Sequence, residues 1–254
     1  PKVFKGYAHK LDLTSLLDAY LIPPSQNVLY ANDGTVKARS GYALLGAANT
    51  ALTPVRSSYD WNSSNGTELN LRQYDDELEV FSGTAWRRIV RDDDTLTTWS
   101  TTATMRFAEW WDTTEKEDIL LFVEGTAAIY EWSGGIATLA SATSNTITKT
   151  GTGTWAASRF LTAGTRKVLI GTTVYTYTGG ESTITLTGVT PDPSAEAVDS
   201  IVVQCARRTA FTGFTLPSDF ANTDTKDLIA VLDNQCWLGS TTSRYVHVSR
   251  VNNF

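Results

Sequence analysis

Three stretches of the chain repeat one pattern. An acidic residue opens a short, mostly apolar stretch, a polar or glycine turn follows, and the next stretch carries an aromatic residue. The three are Glu77–Gly83 with Trp86, Asp118–Gly125 with Tyr130 and Trp132, and Asp227–Asn234 with Trp237. A looser fourth is Asn27–Gly34, which returns through Thr35–Ser40. Apolar runs broken by such turns predict antiparallel β-hairpins. From Leu78 to Ile119 is 41 residues, close to the roughly 40–45 of a propeller blade. From Ile119 to Leu228 is 109, too long for one blade. The segment between differs in character: residues 134–215 hold 20 of the 39 threonines and few charges. Short strands are predicted there at Thr146–Lys149, Lys167–Ile170, Thr173–Tyr177, Thr183–Leu186 and Ile201–Cys205. Removing about 70–80 residues restores one blade length. The reading is a small β-domain inserted at a loop tip, where insertions are tolerated.

Composition agrees with an all-β fold. Thr and the aromatics (10 Tyr, 9 Phe, 8 Trp) favour strands, and Met occurs once. Hydrophobic residues make up 41 % of the 254, enough for a core. The expected architecture is a partial or small β-propeller-like array of antiparallel hairpins with an inserted β-sandwich or barrel-like domain; a single β-sandwich is the alternative. Residues 1–24 read as an N-terminal arm with a short helix within Leu11–Ile22, stopped by Pro23-Pro24. Residues 25–133 read as a blade-like domain, 134–215 as the insert, and 216–254 as the return to the blades.

The chemistry is sparse. Net charge is −6 and the pI about 5.0, so a broad nucleic-acid-binding face is not expected; basic residues form only small sets such as Arg87-Arg88 and Arg207-Arg208. No apolar run approaches the roughly 18 residues of a membrane span, and no secretory leader is read. Cys205 and Cys236 are expected as buried free thiols, with one disulfide as the alternative. Only His9 and His247 are available to a catalytic triad, and no Gly-x-Ser-x-Gly surrounds any serine. The carboxylate clusters Asp75-Asp76-Glu77, Asp92-Asp93-Asp94 and Glu115–Asp118 read as solvated turns rather than a glycosidase pair or a calcium loop. Ser58-Tyr-Asp60-Trp61 imitates part of a sialidase box but lacks its glycine. No catalytic, cofactor-binding or metal-binding residue is assigned, and an enzyme is not expected. Trp99, Trp110, Trp132, Trp155 and Trp237 read as core rather than as a sugar platform, and truncating Trp237 is expected to cost roughly 3–5 kcal/mol. Neighbours in a strand face opposite ways, so one of Trp110 and Trp111 should be exposed.

Certain segments resemble bacteriophage virion proteins built on a β-propeller. Asn27-Val-Leu-Tyr followed by Lys37-Ala-Arg-Ser-Gly41-Tyr is similar to their opening strands. Tyr74–Phe81 with Gly83 and Trp86 resembles a first blade, and Tyr245–Phe254 resembles a blade end. Thr146–Thr150, Gly164–Val168 and Tyr175–Gly180 resemble small β-modules carried by phage tail proteins. The resemblance implies a structural component of a phage tail or head–tail connector, assembled in the host cytoplasm and resident in the virion. Its partners would be other virion proteins and copies of itself in a ring or tube. About four blade-like units lie outside the insert, so neighbouring copies are expected to complete the array. An acidic lumen would let DNA pass without sticking during ejection. A module binding a host glycan or surface protein, through residues 134–215 or the Trp110-Trp111 segment, is the alternative. A glycan-cleaving tail enzyme is a second alternative.

Overall fold

A computed structural model describes residues 6–7, 20–21, 28–30, 36–38, 46–48, 53–63, 66–92, 99–112, 117–126, 128–164, 166–208, 226–232, 235–240 and 246–248. These belong to two compact units, Pro1–Leu45 and Gly46–Phe254.

In the first unit, β1 (Gly6–Tyr7) pairs in parallel with β2 (Tyr20–Leu21), and β3 (Val28–Tyr30) forms an antiparallel hairpin with β4 (Val36–Ala38). The hairpin lies where Asn27–Ser40 predicts one. The helix expected within Leu11–Ile22 is corrected at its end: Tyr20–Leu21 is extended and strand-paired, and residues 11–19 lie outside the described ones. Apolar residues at mixed spacing define no single helical face, and the prolines that follow favour extended backbone just before them.

The second unit is all-β; its described residues contain one 3-10 turn, Ala156–Ser158, and no α-helix. Its first sheet is a four-stranded meander of β5 (Val55–Asn62), β6 (Glu68–Tyr74), β7 (Glu77–Phe81) and β8 (Trp86–Ile89). Alternation sends Leu69, Leu71, Leu78, Val80 and Ile89 to one buried face. The second sheet contains β9 (Arg106–Asp112), β10 (Glu117–Val123) and β11 (Ile129–Trp132). Next in the chain come β12 (Ile136–Ala142), β13 (Thr146–Lys149), β14 (Lys167–Ile170), β15 (Thr173–Thr176), β16 (Thr185–Thr187) and β17 (Ile201–Gln204). These six form one sheet in the order β15-β14-β17-β12-β13-β16. The chain then returns as β18 (Arg207–Arg208), which pairs with β11 and becomes the fourth strand of the second sheet. The six strands are thus strung between the third and fourth strands of a meander.

The six-stranded sheet is curled into a half-barrel. Its edges meet beyond β15 and β16: Thr176 bridges Thr190 and Gly179 bridges Thr187. Leu139, Ile147, Trp155, Phe160, Val168, Ile170, Tyr177, Leu186 and Val202 fill its interior. Its threonines serve the strands at the surface, as in the Thr148–Thr185 hydroxyl pair at 2.9 Å.

The third sheet comprises β19 (Leu228–Leu232), β20 (Gln235–Gly239) and β21 (Val246–Val248), all antiparallel. The first, second and third sheets stack face to face. β10 lies in the middle of the stack. Leu120 and Phe122 pack on the first sheet, while Ile119, Leu121 and Val123 pack on the third. Its continuous apolar run is the signature of a strand covered on both faces. The repeated segments are equivalent as hairpins but not as blade positions. Glu77–Gly83 supplies the third strand of its sheet and Asp118–Gly125 the second, so the 41-residue spacing does not connect corresponding strands.

Arg159 ties these parts together. Its guanidinium is buried and donates from Nε to Ser133 O and from Nη1 to Ser63 Oγ, both at 2.5 Å, and from Nη2 to Asp118 O. It also lies 4.7 Å over the Trp61 ring. One residue of the module therefore bridges the end of β5, the start of β10 and the end of β11. Arg159 has φ +66°, a conformation unusual for a residue with a Cβ and held here by surrounding contacts. Gly134 beside it is required for space: with φ +86°, an added Cβ would lie 2.9 Å from the Trp61 ring.

Candidate interaction surface

The sequence-nominated carboxylates sit in turns and ion pairs. Asp75 occupies the β6–β7 turn with φ +44°, and its carbonyl accepts from Arg56 Nη2. Glu77 accepts from Tyr74 Oη and lies 3.7 Å from Arg88 Nε. Asp92 Oδ1 accepts from Arg208 N at 3.2 Å. Asp118 accepts from Ser63 Oγ at 3.4 Å. Asp93, Asp94, Glu115 and the side chain of Glu117 lie outside the described residues, as do His9 and the side chain of His247. Among the described residues no three His, Cys, Asp or Glu side chains are placed to share a metal ion.

Both cysteines are buried, and neither forms a disulfide. They belong to different clusters, Cys205 with Val90 and Leu169 and Cys236 with Ile229 and Leu238. Burial pushes the Cys236 thiol up to about 12 and Cys205 further, so neither is a thiolate nucleophile. The buried ion pairs hold sheets rather than face a ligand. Glu124 meets Arg91 at 3.0 Å and accepts from Ser100 N at 2.8 Å, and Glu131 pairs with Arg207 across β11 and β18. Gln73, fully buried, donates to Ala103 O and accepts from Met105 N, both at 2.9 Å. No pattern in the sequence marks it.

The tryptophans divide as burial decides. Trp99, Trp110, Trp132 and Trp155 are core, and Trp111 is 47 % exposed, as the alternation on β9 requires. Trp237 is corrected: it is half-buried, and its strand neighbours Cys236 and Leu238 occupy the core instead. The aromatic residue of a hairpin need not be its inward one; the register of β20 on the second sheet fixes which face is covered.

The two ends of the stack differ. The outer face of the first sheet combines an ion pair with the Phe81 and Trp86 rings and is packed by Gly46 and Ala47. Arg72 meets Glu79 at 2.7 Å and lies 4.0 Å over Trp86, and Asn70 donates to Asp60 at 2.7 Å. The outer face of the third sheet is apolar. In register it places Leu228, Gly239 and Val246 in one row, and Ala230, Trp237 and Val248 in the next, with Leu232 beyond. Leu228, Leu232 and Val246 are 49 %, 59 % and 59 % exposed, and Val248 39 %. Trp237 Nε1 is shielded from solvent yet has no hydrogen-bond partner among the described residues. Leu228–Leu232 has the same continuous apolar run as β10, but only one of its faces is covered. A contiguous apolar patch of this kind marks a contact site.

A second feature lies beside β8. A cleft of about 440 Å³ opens between that strand and the six-stranded sheet, lined by Glu77, Glu79, Trp86, Arg87 and Arg88 and by Asp199, Ile201 and Val203. In the sequence Arg87-Arg88 reads only as a small basic set; nothing local signals that β17 comes to face it.

Comparison of the chain with protein-family models, with curated proteins and with solved structures finds no match in any of the three.

Proposed function

We propose that this chain is a structural subunit of a bacteriophage tail or head–tail connector, assembling through the outer face of its third sheet. The observation that carries the reading is the asymmetry of the stack. Arrays of like units end stably where the last unit shows a polar outer face. The outer face of the first sheet is closed by the Arg72–Glu79 pair and by Ala47, whose carbonyl accepts from Arg72 at 3.0 Å. The third shows leucine, valine and a half-buried tryptophan to solvent, a face fitted to another apolar sheet at the roughly 10 Å spacing of stacked sheets. The carboxylates of Glu77, Glu79, Glu124 and Glu131 are engaged in ion pairs, an arrangement suited to holding sheets in place. The phage-like segments supply the setting: a virion, other virion proteins or copies of this chain as partners, and assembly in the host cytoplasm. The net charge of −6 suits a channel wall that repels DNA phosphate.

Sedimentation velocity of the full chain tests the assembly. The wild type should sediment as an oligomer in a concentration-dependent way, and Leu232→Lys with Val246→Lys should sediment as a monomer with an unchanged circular dichroism spectrum. Identical sedimentation of the two would overturn the assignment of this face. The exposed ring of Trp111 favours a second reading, recognition of a host glycan. Glycan-array binding that disappears in Trp111→Ala would favour it over a purely structural role.

A further inference from the structure

Among the described residues three tryptophans carry an arginine over the ring. Arg72 lies 4.0 Å over Trp86, Arg159 4.7 Å over Trp61 and Arg91 5.4 Å over Trp99. Two of these arginines also hold a carboxylate: Arg72 meets Glu79 at 2.7 Å and Arg91 meets Glu124 at 3.0 Å. A guanidinium suits both partners, because its plane stacks on a ring while its fork of donors pairs with an acid. In the first sheet the acid and the ring are diagonal neighbours, since Phe81 is opposite Trp86 and Glu79 opposite Arg88. Such neighbours are about 7–8 Å apart.

β9 repeats the acid and the ring without the arginine. Glu109 and Trp111 are two residues apart on one strand, so they share a face at about 7 Å. The ladder to β10 runs through both without a register shift: Glu109 is opposite Leu120 and Trp111 opposite Asp118. Leu120 packs on the first sheet, so this face looks toward β5. From β5, Tyr59 donates through Oη to Glu109 Oε1 at 2.9 Å, while its ring stacks on Phe107 at 5.2 Å. That contact holds one oxygen of the carboxylate and leaves Oε2 without a partner among the described residues. Trp111 is 47 % exposed, and among the described residues no arginine or lysine lies over its ring or pairs with Glu109. Arg106, on the same strand, points to the opposite face.

We infer that Glu109 and Trp111 receive an arginine side chain from a partner polypeptide. The guanidinium lies on the indole and pairs with Glu109 Oε2, completing the arrangement that Arg72 and Arg91 complete within the chain. β9 is the edge strand of the second sheet, so the arginine reaches both groups from solvent. A lysine would use the acid but stack less well, because its ammonium is compact and strongly hydrated. A neutral sugar would stack on the ring but leave the charge of Glu109 uncompensated. The inference stands apart from the third-sheet face and survives if that face proves unused. It gives Trp111 a different ligand from a glycan, and one experiment separates the two.

The indole N–H resonances of the full chain, labelled with nitrogen-15, test it at low salt; the Trp111 signal is the one lost in Trp111→Phe. The probes are acetyl-Ser-Arg-Ser-amide and its counterparts with Lys and with Gln in place of Arg. The Arg peptide should shift the Trp111 signal and bind about tenfold more tightly than the Gln peptide, the sum of one exposed cation–π contact and one exposed ion pair. The Lys peptide should fall between them. Glu109→Gln, which keeps an acceptor for Tyr59, should weaken the Arg peptide about threefold and leave the melting temperature in place. Added salt should weaken the Arg peptide more than the Gln peptide. A wild-type Trp111 signal that ignores the Arg peptide up to about 10 mM would overturn the inference. So would equal responses to the Arg and Gln peptides, whether or not Glu109→Gln folds. A Trp111 signal moved by maltotriose but not by the Arg peptide would overturn it in favour of the glycan reading.

Discussion

Replacement of Arg159 by methionine is the most informative single perturbation of this fold. Methionine fills much of the same volume and, like arginine, carries a Cβ, so the cost of the backbone at φ +66° is common to both proteins. What changes is the guanidinium. It donates to Ser133 O, Ser63 Oγ and Asp118 O. Hydrogen bonds from a charged donor contribute about 1.5–3 kcal/mol each, and the stacking over Trp61 about 1–2 more. Against this, methionine avoids the cost of desolvating a cation and gains about 1–2 kcal/mol of apolar burial. The net expectation is a loss of about 3–5 kcal/mol, in the range for breaking a buried charged network by removing one member. Equilibrium urea unfolding followed by tryptophan fluorescence measures it. Trp61, Trp132 and Trp155 are all fully buried and lie on both sides of the junction, so the signal reports the stack and the module together. Arg159→Lys keeps the charge but not the fork, and should fall between the two. A midpoint for Arg159→Met that shifts by less than the equivalent of about 0.5 kcal/mol, the usual range for surface substitutions, would refute the view that this side chain couples the three junctions.

Leu238→Ala should cost about 2–4 kcal/mol and Trp237→Ala about 1 kcal/mol in the same unfolding assay, because Leu238 is 1 % exposed and Trp237 is half-buried on the opposite face; the reverse order would mean that β20 presents its other face to the second sheet. Burial, aided by the hydrogen bonds to Glu109 and Glu196, raises Tyr59 and Tyr175 from 10.0 to about 12. A folded-state value above the unfolded one stabilises below pH 10, and that contribution is lost as the pH rises toward 12. Absorbance at the tyrosinate band should show at least two late-ionising tyrosines together with falling stability over that window; nine or more of the ten tyrosines ionising together near 10 while the chain stays folded would contradict the burial of these two.

Much of the local structure is legible in the sequence. The hairpin at Asn27–Ser40, the strands at Leu78–Phe81, Ile119–Val123, Thr146–Lys149 and Lys167–Ile170, and the exposure of one ring in Trp110-Trp111 follow from alternation and turn chemistry alone. The sites are less legible. Arg87-Arg88 reads as an unremarkable basic pair because its meaning depends on β17, more than a hundred residues later in the chain. Trp237 reads as core because a large ring in a strand usually is, yet Cys236 and Leu238 take that place. The stretch Leu11–Ile22 reads as helical from its leucines, although Tyr20–Leu21 finds a strand partner in Gly6–Tyr7.

The sequence by itself determined that this chain makes β-hairpins and that a threonine-laden segment interrupts them, because strand and turn preferences act within a few residues. Only the tertiary structure decided how the hairpins stack: which face of each strand is covered, that β18 returns to complete the second sheet, and that the third sheet keeps one apolar face in solvent. Those outcomes depend on pairing and packing between residues distant along the chain, and the hydrophobic pattern of a strand records that a face wants covering without recording what covers it.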